Sequence, residues 1–148
     1  MLQLAVLENG TPILGICLGM QLFSTSSEEG DVQGLGWLEA ETVRFDPTQM
    51  DNPYFKVPHM GWNSITVEKD VPMLSGVAEN GEFYFCHSYF MQCRDEQDII
   101  ASTHYGNGFT CAVQKGNIHG VQFHPEKSHD AGALMIRQFL ESTVKALA

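Results

Sequence analysis

The sequence predicts an α/β protein with an open, mixed sheet flanked by helices, and three features support this prediction. A short apolar run at residues 12–16 ends at Cys17 and is followed at once by a helical pattern. Several strand-like segments separated by Gly- and Asn-containing turns crowd residues 83–123. From His129 the apolar residues change to helical spacing. Strands combined with packed helices are typical of the α/β class.

Length and composition indicate one domain over residues 1–148. A chain of 148 residues with 43% hydrophobic and 18% charged residues can bury a real core. The net charge of -10 gives no support to a nucleic-acid partner. Because neither a long apolar run nor a signal-peptide pattern is evident, we expect a cytosolic protein without a membrane segment.

The first 45 residues are predicted to hold two helices and two strands. Residues 2–7 are mostly apolar and end at a Gly-Thr-Pro break, which indicates a helix. Residues 12–16 are predicted as the central strand, and residues 18–23 start a helix. Residues 24–30 form a polar loop, and the alternation in residues 36–45 fits a half-exposed strand.

The rest of the chain is predicted as loops and short strands before a closing helix. Residues 46–54 indicate a loop, and Pro58, Gly61 and Asn63 indicate irregular surface backbone in residues 57–63. Strands are expected at residues 65–67, 83–90, 99–104, 110–114 and 118–123, the last three as hairpins. The closing amphipathic helix presents Ala133, Leu134, Ile136, Phe139, Leu140, Val144 and Leu147.

Cys17 is predicted to occupy the sharp turn between its strand and the following helix. Gly15 and Gly19 suit that turn, because glycine lets a helix and a strand approach closely. A thiol beside a helix N-terminus forms thiolate more easily, which suits a nucleophile. A buried, inert cysteine fits the same residues.

A cysteine nucleophile needs a base and a group that orients this base, and His124 and Glu126 fit these roles. His124 follows the predicted strand at residues 118–123, where Pro125 stops the strand. Taken alone, both residues fit an ordinary surface turn better, and their pairing with the Cys17 turn favours the catalytic role. The four cysteines and six histidines show no metal-binding or dithiol spacing, so we expect reduced thiols, no metal and no cofactor.

Two motifs resemble the class I, or triad, glutamine amidotransferase family. They are G-I-C-L-G-M-Q at residues 15–21 and G-V-Q-F-H-P-E at residues 120–126. The stretches P-H-M-G-W-N (58–63), F-Y-F-C-H-S-Y (83–89) and H-P-E-K-S (124–128) are similar to the glutaminase subunits of imidazole glycerol phosphate synthases. The resemblance covers nearly the whole chain and implies a flavodoxin-like sheet.

The resemblance implies that the protein is a glutaminase. By residue matching, Cys17 attacks the glutamine carboxamide, His124 acts as general acid and base, and Glu126 orients His124. The residues implied to contact substrate are Gln21, Leu18 through its backbone N–H at the oxyanion, Ser88 and Tyr89. Gln21 could instead be a helix-surface residue, and Ser88 and Tyr89 could be ordinary strand residues.

The resemblance also implies a partner, a (β/α)8-barrel cyclase subunit that receives the ammonia for histidine biosynthesis within a heterodimer. The implied contact residues are His59, Met60, Trp62, Asn63, Tyr84 and Lys127. Trp62 also fits a core aromatic, but its Pro/Gly-containing loop favours an interface. Residues 58–63 and 127–128 argue against another triad amidotransferase such as the glutaminase domain of CTP synthase, and a non-catalytic cyclase-binding module remains an alternative.

Two departures from the family pattern carry expectations. Family members have a first strand, its helix and a glycine-containing oxyanion loop before the segment that opens this chain. We therefore expect an N-terminally truncated domain that lacks the first βα units, with low stability and little activity, since losing one oxyanion donor costs about 10²–10³ in rate. Cys86 stands where the family usually has an aliphatic residue, and we assign it no catalytic role.

Overall fold

The computed structural model describes residues 1–50 and 52–147, without the side chains of Asn80, Ala146 and Leu147. Asp51 in the predicted loop and the side chain of Leu147 in the predicted helix therefore lie outside the described residues. The helices are a π-helical segment Leu4–Glu8, α1 Leu18–Gln21, α2 His129–Leu147 and the short 3₁₀ segments Pro47–Gln49, Pro72–Leu74, Ala78–Asn80, Glu96–Asp98 and Pro125–Lys127. The strands are β1 Ile13–Ile16, β2 Ser26–Ser27, β3 Val32–Gln33, β4 Ala40–Arg44, β5 His59–Asn63, β6 Thr66–Val67, β7 Phe83–His87, β8 Tyr89–Cys93, β9 Ile99–Thr103, β10 Phe109–Lys115 and β11 Ile118–Val121.

The main sheet is mixed, in agreement with the predicted α/β class. Its strands follow the order β1-β11-β10-β8-β4-β2-β3, and β9 and β6 extend from β10. The β1/β11 and β2/β4 pairs are parallel, whereas the hairpins β9/β10 and β10/β11 are antiparallel. The prediction of a central β1 is wrong, because among the described strands β1 pairs with β11 alone and lies at the edge.

Both faces of the sheet are covered. Ile13 and Leu14 are neighbours on β1, and they pack against two different buried clusters. Because successive strand residues point to opposite faces, these clusters lie on the two sides of the sheet. The larger cluster includes Phe45, Phe83, Phe85, Phe109, Phe123 and Met135 of α2, and the smaller one includes Met20, Phe23, Trp37 and Leu38.

The prediction of irregular backbone at residues 57–63 holds for residues 57–58 but is wrong for residues 59–63, which form β5 and pair with β7. The two strands form a separate antiparallel sheet in which His59 faces His87 and Trp62 faces Tyr84. Gly61 has a φ of 132°, which suits glycine within this strand. The ladder to β7 satisfies the backbone and outweighs the local preferences of proline, glycine and asparagine.

Two further predictions need correction in their details. The predicted strand at residues 83–90 is two strands, because the chain leaves the small sheet at Ser88 and enters the large one as β8. The predicted polar loop at residues 24–30 contains β2, which pairs with β3 and β4. Only contacts between distant segments create these strands, so local sequence patterns did not indicate them.

Candidate active site

Cys17 lies at the predicted strand-to-helix turn and has a strained backbone. Its φ and ψ are 52° and -110°, an unusual conformation for a residue with a side chain. The turn can be this tight because Gly15 lacks a side chain: a Cβ there would lie 2.6 Å from the carbonyl carbon of Gly19. The Cys17 backbone N–H donates to the Val121 carbonyl at 2.8 Å, which fixes the turn to β11.

The parallel pairing of β1 and β11 brings the end of β11 beside Cys17. Ile16 and Val121 are partners in the register, so the residues after each strand lie at the same edge of the sheet. Gln122 is fully buried there, and its Nε2 donates to the Cys17 Sγ at 3.5 Å. Sequence reasoning assigned Gln122 no role, although a polar residue between Val121 and Phe123 is itself a signal.

The charge state of the Cys17 thiol is set by opposing influences. Burial raises the pKa of Cys17 above its ordinary value, and the neighbouring Cys86 and Glu126 add to the rise. Hydrogen bonds from the Leu18 backbone N–H and the Gln122 side chain lower the same pKa. The expectation of an easily formed thiolate is therefore wrong for the free protein, because burial outweighs the donors at the helix start.

His124 and Glu126 form the predicted pair. The His124 Nδ1 lies 2.6 Å from Glu126 Oε1, so Nδ1–H donates to the carboxylate and leaves Nε2 available to act as a base. The His124 backbone N–H donates to the Tyr84 carbonyl at 2.8 Å, and Ser128 Oγ bonds the His124 carbonyl at 2.6 Å. Cys17 and His124 are not hydrogen-bonded to each other in the described part of the chain, as often occurs before substrate binds.

A cleft of about 340 Å³ opens beside Cys17. Its lining includes all four predicted substrate contacts, Leu18, Gln21, Ser88 and Tyr89. It also includes Glu29, Pro58, Cys86 and His87, for which no role in substrate binding was predicted. Gln21 is not a helix-surface residue, since it is 5% exposed and its Nε2 donates to the Tyr89 carbonyl and to Gln122 Oε1, each at 2.9 Å.

A strained cysteine turn at the same sheet edge as a histidine and glutamate pair, with a small cleft beside it, is the arrangement of a cysteine-dependent hydrolase. The family model described as "Glutamine amidotransferase class-I" matches residues 2–142. This chain belongs to the class I glutamine amidotransferase family.

Curated relatives of this amidotransferase chain are subunits of one synthase. It is 46% identical over 134 residues to "Imidazole glycerol phosphate synthase subunit HisH" of Leptospira interrogans, which covers 90% of this chain and 65% of that protein. It is 45% identical over 141 residues to the protein of the same name in Wolinella succinogenes, which covers 93% and 68%. The chain thus spans about two thirds of the length of these relatives.

Solved structures support the amidotransferase fold. A crystal structure of a glutamine amidotransferase has a TM-score of 0.60 at 22% identity, covering 93% of this chain and 64% of that chain. The glutaminase domain of Trypanosoma brucei CTPS with bound acivicin has a TM-score of 0.63 at 18% identity, covering 95% and 62%. At these identities the likeness concerns the fold alone.

The predicted partner contacts of this amidotransferase divide between the two faces of β5. Met60 and Trp62 point outward and are 61% and 46% exposed, and the Trp62 ring contacts Tyr84 with 5.6 Å between centroids. Lys127 Nζ lies 5.7 Å from the centre of the Tyr84 ring. These four residues, Met60, Trp62, Tyr84 and Lys127, are here called the β5/β7 outer face.

The side chains of His59 and Asn63, the other two predicted contacts on this strand, lie on the other side of β5. His59 is only 3% exposed and bonds to His87. The Asn63 amide donates to the His104 carbonyl at 3.0 Å and is therefore already engaged within the chain. The alternation of the strand separates them from Met60 and Trp62.

Within residues 1–50 and 52–147, no group of three or more His, Cys, Asp or Glu side chains is arranged to hold a metal ion. None of the described helices is both long and apolar enough to cross a bilayer.

Proposed function

We propose that this chain is the glutaminase subunit of an imidazole glycerol phosphate synthase, and that it hydrolyses glutamine and delivers ammonia to a (β/α)8-barrel cyclase subunit in the cytoplasm for histidine biosynthesis. The observation that carries this proposal is the position of the Cys17 turn and the His124 and Glu126 pair, at the same end of the parallel strands β1 and β11. The names of its relatives, at 46% and 45% identity, support the choice of synthase.

In the proposed reaction, His124 accepts and then donates one proton in each of two steps, the formation and the hydrolysis of a thioester on Cys17. His124 Nε2 takes the thiol proton as Sγ attacks the glutamine carboxamide carbon, and the imidazolium gives this proton to the leaving ammonia. Water then attacks the thioester with the same base, which releases glutamate and restores the thiol. Glu126 holds the imidazole in the tautomer that this sequence needs.

Hydrogen-bonding groups around the cleft would hold the oxyanion and orient the substrate. The Leu18 backbone N–H already reaches the Cys17 sulfur at the helix start and is suited to the developing oxyanion. Gln21, Ser88 and Tyr89 line the cleft beside it and would orient glutamine. Because burial raises the Cys17 pKa, the thiol needs His124 as the base that removes its proton.

The test combines a pull-down with the cyclase subunit and labelling of Cys17 by an electrophilic glutamine analogue. We expect both binding and labelling, and we expect glutamate release with the cyclase present to disappear in Cys17→Ala. Cys93→Ala is the matched control, since Cys93 is half-buried on β8 outside the cleft. Binding without labelling would instead support a non-catalytic binding module, and labelling without binding would support another triad amidotransferase.

A further inference from the structure

A chain of hydrogen bonds runs through two buried histidines between β5 and the cleft. His59 on β5 and His87 on β7 face each other in the register and are 3% and 6% exposed. His59 Nδ1 and His87 Nε2 are 3.0 Å apart. The catalytic steps proposed above use neither histidine.

The direction of every hydrogen bond in this chain follows from one amide. Asn63 Nδ2 donates to the His104 carbonyl at 3.0 Å and lies 3.4 Å from His59 Nε2, which must therefore accept. His59 then carries its proton on Nδ1 and donates to His87 Nε2. His87 in turn carries its proton on Nδ1 and donates to the Tyr89 carbonyl at 2.7 Å.

The order is consistent only with neutral rings, and their surroundings favour neutral rings. Burial lowers the pKa of His59 and of His87 to about 4, and the charge of the other histidine contributes to the shift for His59. His59 stacks on Tyr105 with 3.9 Å between ring centroids, and His87 packs against Phe109 at 5.0 Å. The pair is therefore both packed and directionally hydrogen-bonded.

The chain ends on groups that line the cleft. The Tyr89 carbonyl accepts from His87 and also from Gln21 Nε2 at 2.9 Å. Gln21 donates to Gln122 Oε1 as well, and Gln122 Nε2 reaches the Cys17 sulfur at 3.5 Å. The backbone passes from one sheet to the other at Ser88 and Tyr89. This segment is thus held by hydrogen bonds from His87 on one side and from Gln21 on the other.

We propose that His59 and His87 are positioning residues that hold the segment of Ser88 and Tyr89, together with Gln21, in the geometry that binds glutamine, an inference that rests on the proposed glutaminase function. Without the His87 N–H, the Tyr89 carbonyl keeps one of its two side-chain hydrogen bonds, the one from Gln21, while the Ser88 carbonyl still accepts from the Phe45 N–H at 3.1 Å. The Tyr89 end of this wall of the cleft can therefore shift. Shifts of about 1 Å reduce productive binding strongly.

The test measures Cys17 labelling in the full chain with two reagents, a glutamine-analogue chloroketone and iodoacetamide. The ratio of the two rates reports recognition in the cleft and cancels changes in thiol reactivity. His87→Phe keeps the ring packing and removes the hydrogen bonds of the ring to His59 and to the Tyr89 carbonyl. We expect the ratio of labelling rates to fall about tenfold, the effect of losing the one bond from the ring to the Tyr89 carbonyl. His87→Asn, whose Nδ2 can donate to Tyr89, should recover most of this loss.

His119→Phe is the matched control. His119 is also buried, at 7% exposed, and its Nδ1 lies 3.2 Å from the Asn117 carbonyl, but it belongs to β11 outside the cleft. We expect its ratio to equal that of the unmodified chain. An equal fall in His119→Phe and His87→Phe would indicate general destabilisation and overturn the proposal.

The remaining outcomes separate this inference from the proposed function. An unmodified chain that shows no preference for the glutamine analogue contradicts the proposed function itself. If His87→Phe keeps the full preference for the glutamine analogue, only the positioning role is overturned. Where circular dichroism shows that His87→Phe is unfolded, His59→Phe replaces it, with a smaller loss expected and an unchanged ratio counting against the proposal. In the complex with the cyclase subunit, the variant should raise the glutamine KM about tenfold with kcat nearly unchanged.

Discussion

The Cys17 thiol is held between a buried site that opposes its charge and two donors that favour it. Its own S–H points to the Cys86 carbonyl at 3.9 Å, while Gln122 donates to the sulfur from the other side. Gln122 is fixed by the hydrogen bond that it accepts from Gln21. The buried Gln122 amide therefore connects the Cys17 sulfur to Gln21, which lines the substrate cleft.

Replacing this amide should make the thiolate harder to form. In Gln122→Leu the sulfur loses a donor that lowers the Cys17 pKa, so we expect this pKa to rise further. The pH dependence of iodoacetamide alkylation, followed on the Cys17 peptide by mass spectrometry, measures the shift. Gln114→Leu on β10 is the control and should leave the profile unchanged, and a profile that moves to lower pH in Gln122→Leu would contradict this account.

The two buried histidines should make the fold sensitive to acid. In the unfolded chain each histidine binds a proton near pH 6.5, whereas burial lowers the pKa of His59 and His87 in the folded chain to about 4. Between these values the unfolded state binds more protons, so stability falls as the pH decreases from 6.5 towards 4. The loss at pH 4.5 is on the order of 2 kcal/mol for each histidine.

Urea unfolding at pH 7 and at pH 4.5 measures this loss. The double variant His59→Phe with His87→Phe has no proton to bind at either position, so its midpoint should depend less on pH than that of the unmodified chain. An identical pH dependence in both proteins would show that other groups cause the acid sensitivity.

Among the secondary-structure elements, α1 packs unusually close to the two parallel strands beside it. A Cβ at Gly15 of β1 would lie 2.6 Å from the backbone of Gly19, and a Cβ at Gly120 of β11 would lie 2.8 Å from Met20 Cγ. The helix thus approaches both strands more closely than alanine would permit. This approach is what places the sharp turn, and with it Cys17, at the edge of the sheet.

Gly15 and Gly19 offer a matched comparison of this packing. Gly15→Ala forces backbone atoms apart and should destabilise the chain by about 1–3 kcal/mol, with slower labelling of Cys17. A Cβ at Gly19 meets nothing within 4 Å, so Gly19→Ala should be neutral or up to about 1 kcal/mol stabilising. Urea unfolding of both variants measures the difference, and equal stabilities would contradict the role given to Gly15.

The elements that could be predicted from sequence are those whose signals are local. Glycine turns and alternation predicted β9, β10 and β11, and helical spacing predicted α2. β5 was not predicted, because only its ladder to β7 overrides the local signals. The break at Ser88 depends in the same way on two sheets that the sequence does not reveal.

The candidate site, too, could be predicted where its signals are local and not where it depends on distant segments. The turn at Cys17 and the proximity of β1 and β11 could be expected from a strand-to-helix pattern and parallel pairing. The burial that raises the Cys17 pKa and the inward direction of His59 could not, because both depend on packing between distant segments. Motif matching located the residues without giving the direction of their side chains.

At the scale of the whole molecule, the small β5/β7 sheet has one side packed on the core and one side facing outward. Its inner side holds His59 and His87 against the aromatic core, and its β5/β7 outer face carries exposed apolar and aromatic side chains beside Lys127. The Trp62 ring stacks on His129 with 5.1 Å between centroids and an angle of 8°. An exposed tryptophan held in one orientation loses little entropy on association, which suits an interface anchor.

If the proposed cyclase subunit is the partner, Trp62 should contribute strongly to its binding. Trp62→Ala removes the largest side chain of the β5/β7 outer face, and we expect the Kd to rise about 30-fold, the effect typical of an interface hot spot. Val144→Ala is the control: Val144 is 64% exposed on α2, about 22 Å along the helix from His129. Calorimetric titration with the cyclase subunit measures both affinities. Iodoacetamide labelling of Cys17 should be the same in both variants, because neither residue lines the cleft. An unchanged affinity in Trp62→Ala, or an equal loss in Val144→Ala, would place the partner on another surface.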